Sequence, residues 1–156
     1  AIDPADNAQT LHDRLAEMGA KLLVKSLPGY LSGELQPRPQ PEEGATYARK
    51  TNKTDGWIDW SEPASVLLRR VRAFTPWPGL FTDWNGSSLK LVEVTVLPDG
   101  SGAGETGAVV KTGDRTAAVV TAQGLRGLST VQLEGRRAVA IGDFLLGAPD
   151  FVGARL

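Results

Sequence analysis

Hydrophobic positions near the start of the chain repeat with the spacing of an α-helix. Leu11, Leu15, Met18 and Leu22 are separated by four, three and four residues, which places them on one helical face. Residues 6–9 precede them and have the form of a capping box, with an acidic N-cap and a glutamine three residues later. The pattern therefore predicts a helix that begins near position 6 and carries one apolar face.

This helical segment is expected to be interrupted. Gly19 predicts a break, and a second helical piece follows from Ala20 to about Leu27, before Pro28 and Gly29. The resulting hairpin would have an apolar face with little in the chain to cover it, which indicates a missing neighbour. Because the sequence also lacks an initiator methionine, we interpret it as part of a longer protein.

Three prolines at alternate positions mark the clearest boundary in the chain. Pro37, Pro39 and Pro41 favour an extended, semi-rigid segment. The boundary predicts three parts: closing helices over residues 1–36, a proline-rich and then basic linker over residues 37–55, and a C-terminal domain over residues 56–156.

A second amphipathic helix is predicted directly after the linker, over about residues 62–74. Ala64, Leu67, Val71 and Phe74 share one face of it. The helix should stop at the corner RAFTPWPG, because a residue before proline disfavours the helical conformation. Trp77, between the two prolines of this corner, is interpreted as a buried wedge that fixes the angle between the helix and the following domain.

From position 80 onward the pattern changes to short strands. Asn85-Gly86 is a strong signal for a two-residue hairpin, and the apolar alternation shifts phase between Leu91 and Val92, which predicts a bulge or a doubly buried strand. Further strands are predicted over residues 107–111, 116–121 and 125–133, with a short helix over 141–146. Five or six short antiparallel strands predict a mainly β domain that forms a small closed or nearly closed barrel.

Composition limits the classes of function without choosing one. Hydrophobic residues make up 41% and charged residues 22% of the 156, as in an ordinary globular protein. No run is long and apolar enough to span a membrane, and the N-terminus does not resemble a signal peptide, so we expect a cytoplasmic protein. The net charge is −1, so a polyanionic partner would require a local basic patch.

No catalytic centre, cofactor site or metal site is predicted from the residues. His12 is the single histidine and has no cysteine or second histidine to form a metal-ligand spacing. Residues 102–107 match G-x-G-x-x-G, but a strand-like sequence follows them where dinucleotide binding requires a helix. We interpret them as a loop between strands.

The basic residues form the remaining candidate site. They cluster in the linker, on the second helix, in a turn and near the C-terminus: Arg49, Lys50 and Lys53; Arg69, Arg70 and Arg72; Arg136 and Arg137; and Arg155. Such a set on a β domain can hold a phosphate backbone, whereas the near-zero net charge by itself favours solvated surface charges. Four tryptophans can stack on bases or pack the core.

Several motifs, in this order and at these spacings, carry a family resemblance. They are DNAQTLHDRLAEMGAKLL, GATYARK, DGWIDW, RAFTPWPG, GAVVKT, LSTVQLEGRR and AIGDFLLG. The chain resembles the C-terminal half of the methionyl-tRNA formyltransferases. The resemblance covers nearly the whole chain, and GATYARK, IDW and RAFTPWPG together are its most specific part.

The resemblance implies both an architecture and an activity. The full enzyme transfers a formyl group from 10-formyltetrahydrofolate to the amino group of initiator methionyl-tRNA. It has a Rossmann-like catalytic domain, a linker and an OB-like barrel that helps hold the tRNA. The first 36 residues would then be the closing helices of an incomplete catalytic domain, and the parent protein would be a monomer.

The resemblance also divides the chemistry between this chain and the rest of the enzyme. The family's catalytic asparagine, histidine and aspartate and its SLLP motif are expected upstream, so this chain alone should be inactive, without catalytic or cofactor-binding residues. The implied tRNA contacts are Arg49, Lys50, Lys53, Arg136, Arg137 and Arg155.

Two other interpretations stay open at this point. Formyltransferases that act on nucleotide-linked amino sugars and folate dehydrogenases have a similar C-terminal part, although the segments ARKTNK and GRR favour the tRNA enzyme. A stand-alone barrel that binds oligonucleotides or sugars is the third interpretation, and the helical segment at the start argues against it.

Overall fold

The computed structural model describes residues 1–97 and 104–156 of the chain. The chain divides into two compact units, residues 1–51 and residues 52–156. The division falls inside the segment 37–55 that the sequence predicts as a linker.

The first unit contains one long helix, α1, over Ala8–Leu31. Asn7 is its N-cap, with its side chain accepting from the Thr10 backbone N–H at 3.0 Å and Thr10 Oγ1 accepting from the Asn7 N–H at 3.0 Å. The predicted capping box is therefore displaced by one residue. Asp6 instead accepts from Arg14, at 2.6 Å to Nη2, and this bond lowers the pKa of Asp6 below its usual range.

The predicted helical hairpin is wrong, because α1 continues through both expected breaks. A helix tolerates an internal glycine such as Gly19 at a cost of about 1 kcal/mol. Pro28 lies near the end of α1, where its ring removes one helical hydrogen bond, and the Ser32 N–H still donates to the Pro28 carbonyl at 2.9 Å. No residue of α1 is buried, and Met18 and Leu22 of its apolar face are 59% and 65% exposed.

The second unit is an antiparallel sheet with two helices. A 3₁₀ turn over Lys53–Gly56 and helix α2 over Ala64–Ala73 precede the sheet. The strands are β1 Leu80–Trp84, β2 Ser87–Leu97, β3 Val109–Gly113, β4 Thr116–Val120, β5 Leu125–Leu133 and β6 Val139–Ala140, and α3 follows over Ile141–Gly147. The strand order is β1-β2-β5-β4-β3, and β6 pairs with β5.

The prediction of a mainly β domain after N-terminal helix is confirmed, but the sheet does not close into a barrel. In the described part of the chain, β1 and β3 form the two edges and do not pair with each other. Short segments cover these edges instead. The Ile58 N–H donates to the Phe81 carbonyl of β1 at 3.0 Å, and Gly153 and Ala154 exchange hydrogen bonds with Val109 of β3 at 2.9 Å. These segments satisfy edge groups that closure would otherwise satisfy.

The local β signals are confirmed. Asn85 and Gly86 connect β1 to β2 with φ angles of 52° and 75°, as a two-residue hairpin turn requires. The pairing of β2 with β5 shifts register between Leu91 and Glu93, which is where the apolar alternation changes phase. The predicted strand over 125–133 coincides with β5.

The core lies between the sheet and α2. Leu67 and Val71 are buried on the predicted face of α2, and Leu89 and Val131 are buried on the central strands. Trp60 is also in this core and is only 6% exposed. The resulting apolar interior packs one face of the sheet against α2.

The corner RAFTPWPG ends α2 as predicted. Phe74 is the C-cap, and the Gly79 N–H donates to the Phe74 carbonyl at 2.8 Å, which closes a tight loop. Trp77 lies within this loop and is 58% exposed, so its prediction as a buried wedge is wrong. The loop carries Trp77 away from the core, and Trp60 from the DGWIDW segment occupies the buried position.

The two tryptophans should therefore respond differently to truncation. We expect Trp60→Ala to lower the free energy of unfolding by about 3–5 kcal/mol, because it leaves a large cavity. Trp77→Ala should change it by less than about 0.5 kcal/mol, as for an exposed position. Urea unfolding followed by circular dichroism measures both, and an equal loss in the two variants would contradict this assignment.

A close backbone contact joins the DGWIDW segment to the corner. A Cβ atom added at Gly56 would lie 2.3 Å from the Gly79 carbonyl oxygen and 2.7 Å from Phe81 Cε1. Real side chains do not approach a carbonyl oxygen this closely, and the oxygen belongs to backbone that cannot rotate away. Only glycine fits at position 56.

We expect Gly56→Ala to destabilise the second unit by about 1–3 kcal/mol, the usual range for overpacking. Gly147→Ala is the matched control, since a Cβ atom there meets nothing within 4 Å. Thermal melting of the two variants measures the difference. Equal melting temperatures would show that the contact at Gly56 is not constrained.

Candidate nucleic-acid interface

The predicted linker cations fall on both sides of the division between the units. Arg49 and Lys50 belong to the first unit and are exposed, and Arg49 Nη1 donates to the Lys50 carbonyl at 3.2 Å. Lys53 begins the second unit's 3₁₀ turn and is exposed. The turn is held by Asp55, which accepts from the Asn52 N–H at 2.8 Å.

Arg136 and Arg137 lie in the turn between β5 and β6. The Arg136 N–H donates to the Leu133 carbonyl at 2.9 Å, and Gln132 Nε2 donates to the Arg136 carbonyl at 2.8 Å. Gly135 supplies the left-handed conformation of the turn, with φ of 71°. Both arginine side chains are exposed, and neither guanidinium bonds to any residue that the structure describes. The turn thus presents two adjacent cations on a fixed backbone.

Arg155 is less available. Its Nη1 lies 2.9 Å from Glu105 Oε2, and the two side chains are 69% and 78% exposed. An ion pair this exposed adds little stability, so a phosphate group can compete with Glu105 for the arginine. Arg155 remains a candidate contact, but it must release Glu105 before it can bind a phosphate.

The arginines of α2 differ from each other. Arg69 is exposed, whereas Arg70 forms an ion pair with Glu62 and donates from Nη2 to the carbonyls of Asp55 and Trp57 at 2.7 and 3.0 Å. Arg70 therefore ties α2 to the segment before it. These bonds give Arg70 a structural role.

A cavity that the sequence does not predict lies beside Arg136 and Arg137. It has a volume of about 380 Å³, and Trp84 of β1 and Phe144 of α3 line it together with the two arginines. These residues are separated by up to 60 positions in sequence, and only the pairing of β1, β2 and β5 brings them together. The sequence shows a tryptophan before a hairpin turn and a GRR segment in another turn. Nothing in their spacing indicates that they share a site.

Aromatic packing fixes the inner wall of this cavity. Trp84, Phe144 and Phe151 form three edge-to-face pairs with ring centroids 5.1–5.5 Å apart. Phe151 is fully buried, while Trp84 and Phe144 are partly exposed. Such pairs favour one arrangement of the rings, so the wall is preformed.

One arginine is excluded from any surface role. Arg126 of β5 is fully buried, and its three guanidinium nitrogens have no hydrogen-bond partner among residues 1–97 and 104–156. Burial lowers the pKa of Arg126 to about 10. A buried charge without partners destabilises the fold.

Replacing Arg126 with methionine should therefore stabilise the protein at neutral pH, by about 1–3 kcal/mol, the cost of a buried unsatisfied group. The pKa of Arg126 is lower in the folded than in the unfolded state, so the wild type loses this penalty as the pH rises above about 10. Urea unfolding of both proteins at pH 7 and at pH 10–11 tests this. A variant less stable than wild type at pH 7 would contradict it.

The structure also places the remaining sequence candidates. His12 is exposed on α1, and the described residues contain no cluster of three or more potential metal ligands among His, Cys, Asp and Glu. Strand β3 begins at Val109, shortly after the G-x-G-x-x-G segment, whose first residues, Gly102 and Ala103, lie outside the described residues. No helix within the described ranges is long and apolar enough to cross a membrane.

The open antiparallel sheet, with two adjacent exposed arginines at one turn, defines a small β domain. Residues 50–149 match the family model described as "Formyl transferase, C-terminal domain". The chain belongs to this formyl transferase C-terminal domain family, and the resemblance stated from its motifs is confirmed.

Curated relatives extend the match over the whole chain. The methionyl-tRNA formyltransferase of Acidiphilium cryptum is 43% identical over 155 residues, which cover 99% of this chain and 48% of that protein. The methionyl-tRNA formyltransferase of Myxococcus xanthus is 42% identical over 147 residues, 94% of this chain and 46% of that protein. This chain thus spans about half the length of these relatives.

Solved structures confirm the fold. A variant of HypX from Aquifex aeolicus superposes with a TM-score of 0.66 at 17% identity, over 94% of this chain and 27% of that chain. HypX in complex with tetrahydrofolic acid gives a TM-score of 0.60 at 18% identity, over 85% of this chain and 23% of that chain. At this level of identity the likeness concerns the fold alone.

Proposed function

We propose that this chain is the C-terminal, tRNA-holding part of a methionyl-tRNA formyltransferase. The complete enzyme would transfer a formyl group from 10-formyltetrahydrofolate to the amino group of initiator methionyl-tRNA. The observation that carries the proposal is the turn between β5 and β6, where the guanidinium groups of Arg136 and Arg137 have no bonding partner among the described residues. The curated relatives of the whole chain, named methionyl-tRNA formyltransferases, support the same acceptor.

In this proposal the chain positions the RNA and takes no part in the chemistry. Phosphate contacts fix the register and orientation of a nucleic acid without reading its sequence. Arg136 and Arg137 suit this role because their backbone is already held. Arg49, Lys50 and Lys53 would add contacts from the linker, and Arg155 would add one after leaving Glu105.

The catalytic residues would lie in the preceding half of the enzyme, so this chain alone would be inactive. The exposed apolar face of α1 supports such a neighbour, because Met18 and Leu22 are more than half exposed. We propose that α1 closes the Rossmann-like catalytic domain, and that the whole protein is a cytoplasmic monomer. The folate donor would bind to that domain, and no residue of this chain is assigned to it.

The alternative of a formyltransferase for nucleotide-linked sugars predicts a different dependence on salt. Such a substrate has few phosphates, whereas a tRNA backbone engages several cations at once. For duplex RNA we take the slope known for duplex DNA, in which the logarithm of affinity falls with the logarithm of salt concentration by roughly 0.9 for each phosphate neutralised. The salt slope therefore separates the two proposals.

We expect this chain to bind initiator tRNA with a steep salt slope, and the double variant Arg136→Ala/Arg137→Ala to reduce that slope by about 2. Filter binding across a range of KCl concentrations measures both slopes. The control is Arg69→Ala/Lys111→Ala, which removes the same charge from exposed positions outside the proposed set.

Two results would contradict the proposal. A flat response of the wild type to salt would exclude an electrostatic interface. An unchanged slope in the double variant, with a reduced slope in the control, would move the interface away from the turn.

A further inference from the structure

The cavity next to the arginine turn has the size and the walls of a ligand site. Its volume of about 380 Å³ lies within the range of roughly 300–1,000 Å³ that is usual for small-molecule sites. Trp84 and Phe144 form an aromatic wall, and Leu133 and Val139 contribute aliphatic surface. A planar, largely apolar group fits such walls.

The charge at this cavity is not compensated. Arg136 and Arg137 line it and have no partner among the described residues. The one carboxylate in the lining, Asp143, already accepts from Arg115 Nη2 at 2.6 Å. An occupant that approaches the cavity therefore meets two cations beside an aromatic wall, and its own charge should be negative.

We propose that this cavity holds one unstacked nucleotide of the bound RNA, with its base against Trp84 and Phe144 and its phosphate on Arg136 and Arg137. The inference rests on the proposed function, since it names a specific contact within the tRNA-holding surface. Recognition of RNA commonly uses unpaired nucleotides, whose bases stack on aromatic side chains while cations hold the backbone.

This occupant explains why cations and aromatic rings share one site. A phosphate alone requires only the arginines and leaves the aromatic wall unused. A base inside a duplex is stacked on its neighbours and cannot enter a cavity. The site should therefore prefer single-stranded RNA, whereas a surface of arginines alone would favour the higher charge density of a duplex.

Gly147 offers a way to block the cavity without touching the cations. It lines the cavity, and a Cβ atom added there meets nothing within 4 Å. Gly147→Trp should fill the space while leaving Arg136 and Arg137 in place. Leu146→Trp is the matched control, because Leu146 is the neighbouring residue, 73% exposed, and does not line the cavity.

The experiment measures fluorescence anisotropy of a labelled uridine hexamer and of a labelled RNA duplex with the 156-residue chain. We expect Gly147→Trp to weaken hexamer binding about tenfold, within the range for loss of one stacked base. Duplex binding by the same variant should be unchanged, and Leu146→Trp should bind both RNAs as wild type does. Circular dichroism melting establishes that each variant is folded.

Competition for the hexamer site of the wild-type protein provides a second test, which requires no variant. Uridine 5′-monophosphate should displace the hexamer at about tenfold lower concentration than inorganic phosphate, because it supplies a base as well as a phosphate. Equal displacement by the two competitors, or hexamer binding unaffected by a folded Gly147→Trp, would overturn the nucleotide site.

The failure of this inference is distinguishable from failure of the proposed function. In one outcome, Arg136→Ala/Arg137→Ala weakens tRNA binding, but Gly147→Trp does not weaken hexamer binding and uridine 5′-monophosphate competes no better than phosphate. The phosphate interface is then supported and the nucleotide site is wrong. If the chain binds neither tRNA nor the hexamer, both are wrong.

Discussion

Pairing to strand β5 is the constraint on which the rest of the second unit depends. β5 bonds to β2, to β4 and to β6, so three of the other five strands are positioned by it directly. The turn with Arg136 and Arg137 follows its last residue, and α3 follows β6. Because side chains alternate between faces, a slip of one residue would move Val131 out of the core and shift the turn away from Trp84. The core and the candidate interface therefore share one register.

The same region shows how burial decides what an arginine can do. Arg126 lies within β5 and is fully buried, with no hydrogen-bond partner in the part of the chain that the structure describes. Arg136 lies three residues after the end of the strand, and both it and Arg137 are exposed. Solvent access separates a cation that costs stability from two cations that can exchange water for phosphate at little cost. Charge counts along the sequence treat all three alike, which is why the near-zero net charge said little about the interface.

Local chemistry was predictable, and long-range placement was not. Asn85-Gly86, the phase shift after Leu91 and the bounds of β5 follow from interactions between neighbouring residues, and each was read correctly from the sequence. Two features depend on residues far apart in the chain. Trp60 is buried in the core, where the sequence predicted Trp77, and short segments cover the sheet edges. The cavity behind the arginine turn combines β1, β5 and α3, so no contiguous motif contains it. Single cations were visible in the sequence, but the aromatic wall beside them was not.

The two units differ in what fixes their cations. Helix α1 buries none of its residues, so its order within the first unit rests on the Asn7–Thr10 cap and on pairs such as Lys21 with Glu17. An isolated helix of this kind gains little stability without a packed face, and the chain up to Thr51 has no core of its own to supply one. Arg49 and Lys50 lie in a segment that belongs to no helix or strand. Arg136 and Arg137 lie in the turn directly after β5, where the Gln132 side chain donates to the Arg136 carbonyl. Cations already in place lose less conformational freedom on binding, so in the proposed interface the turn should contribute more affinity than the linker cations.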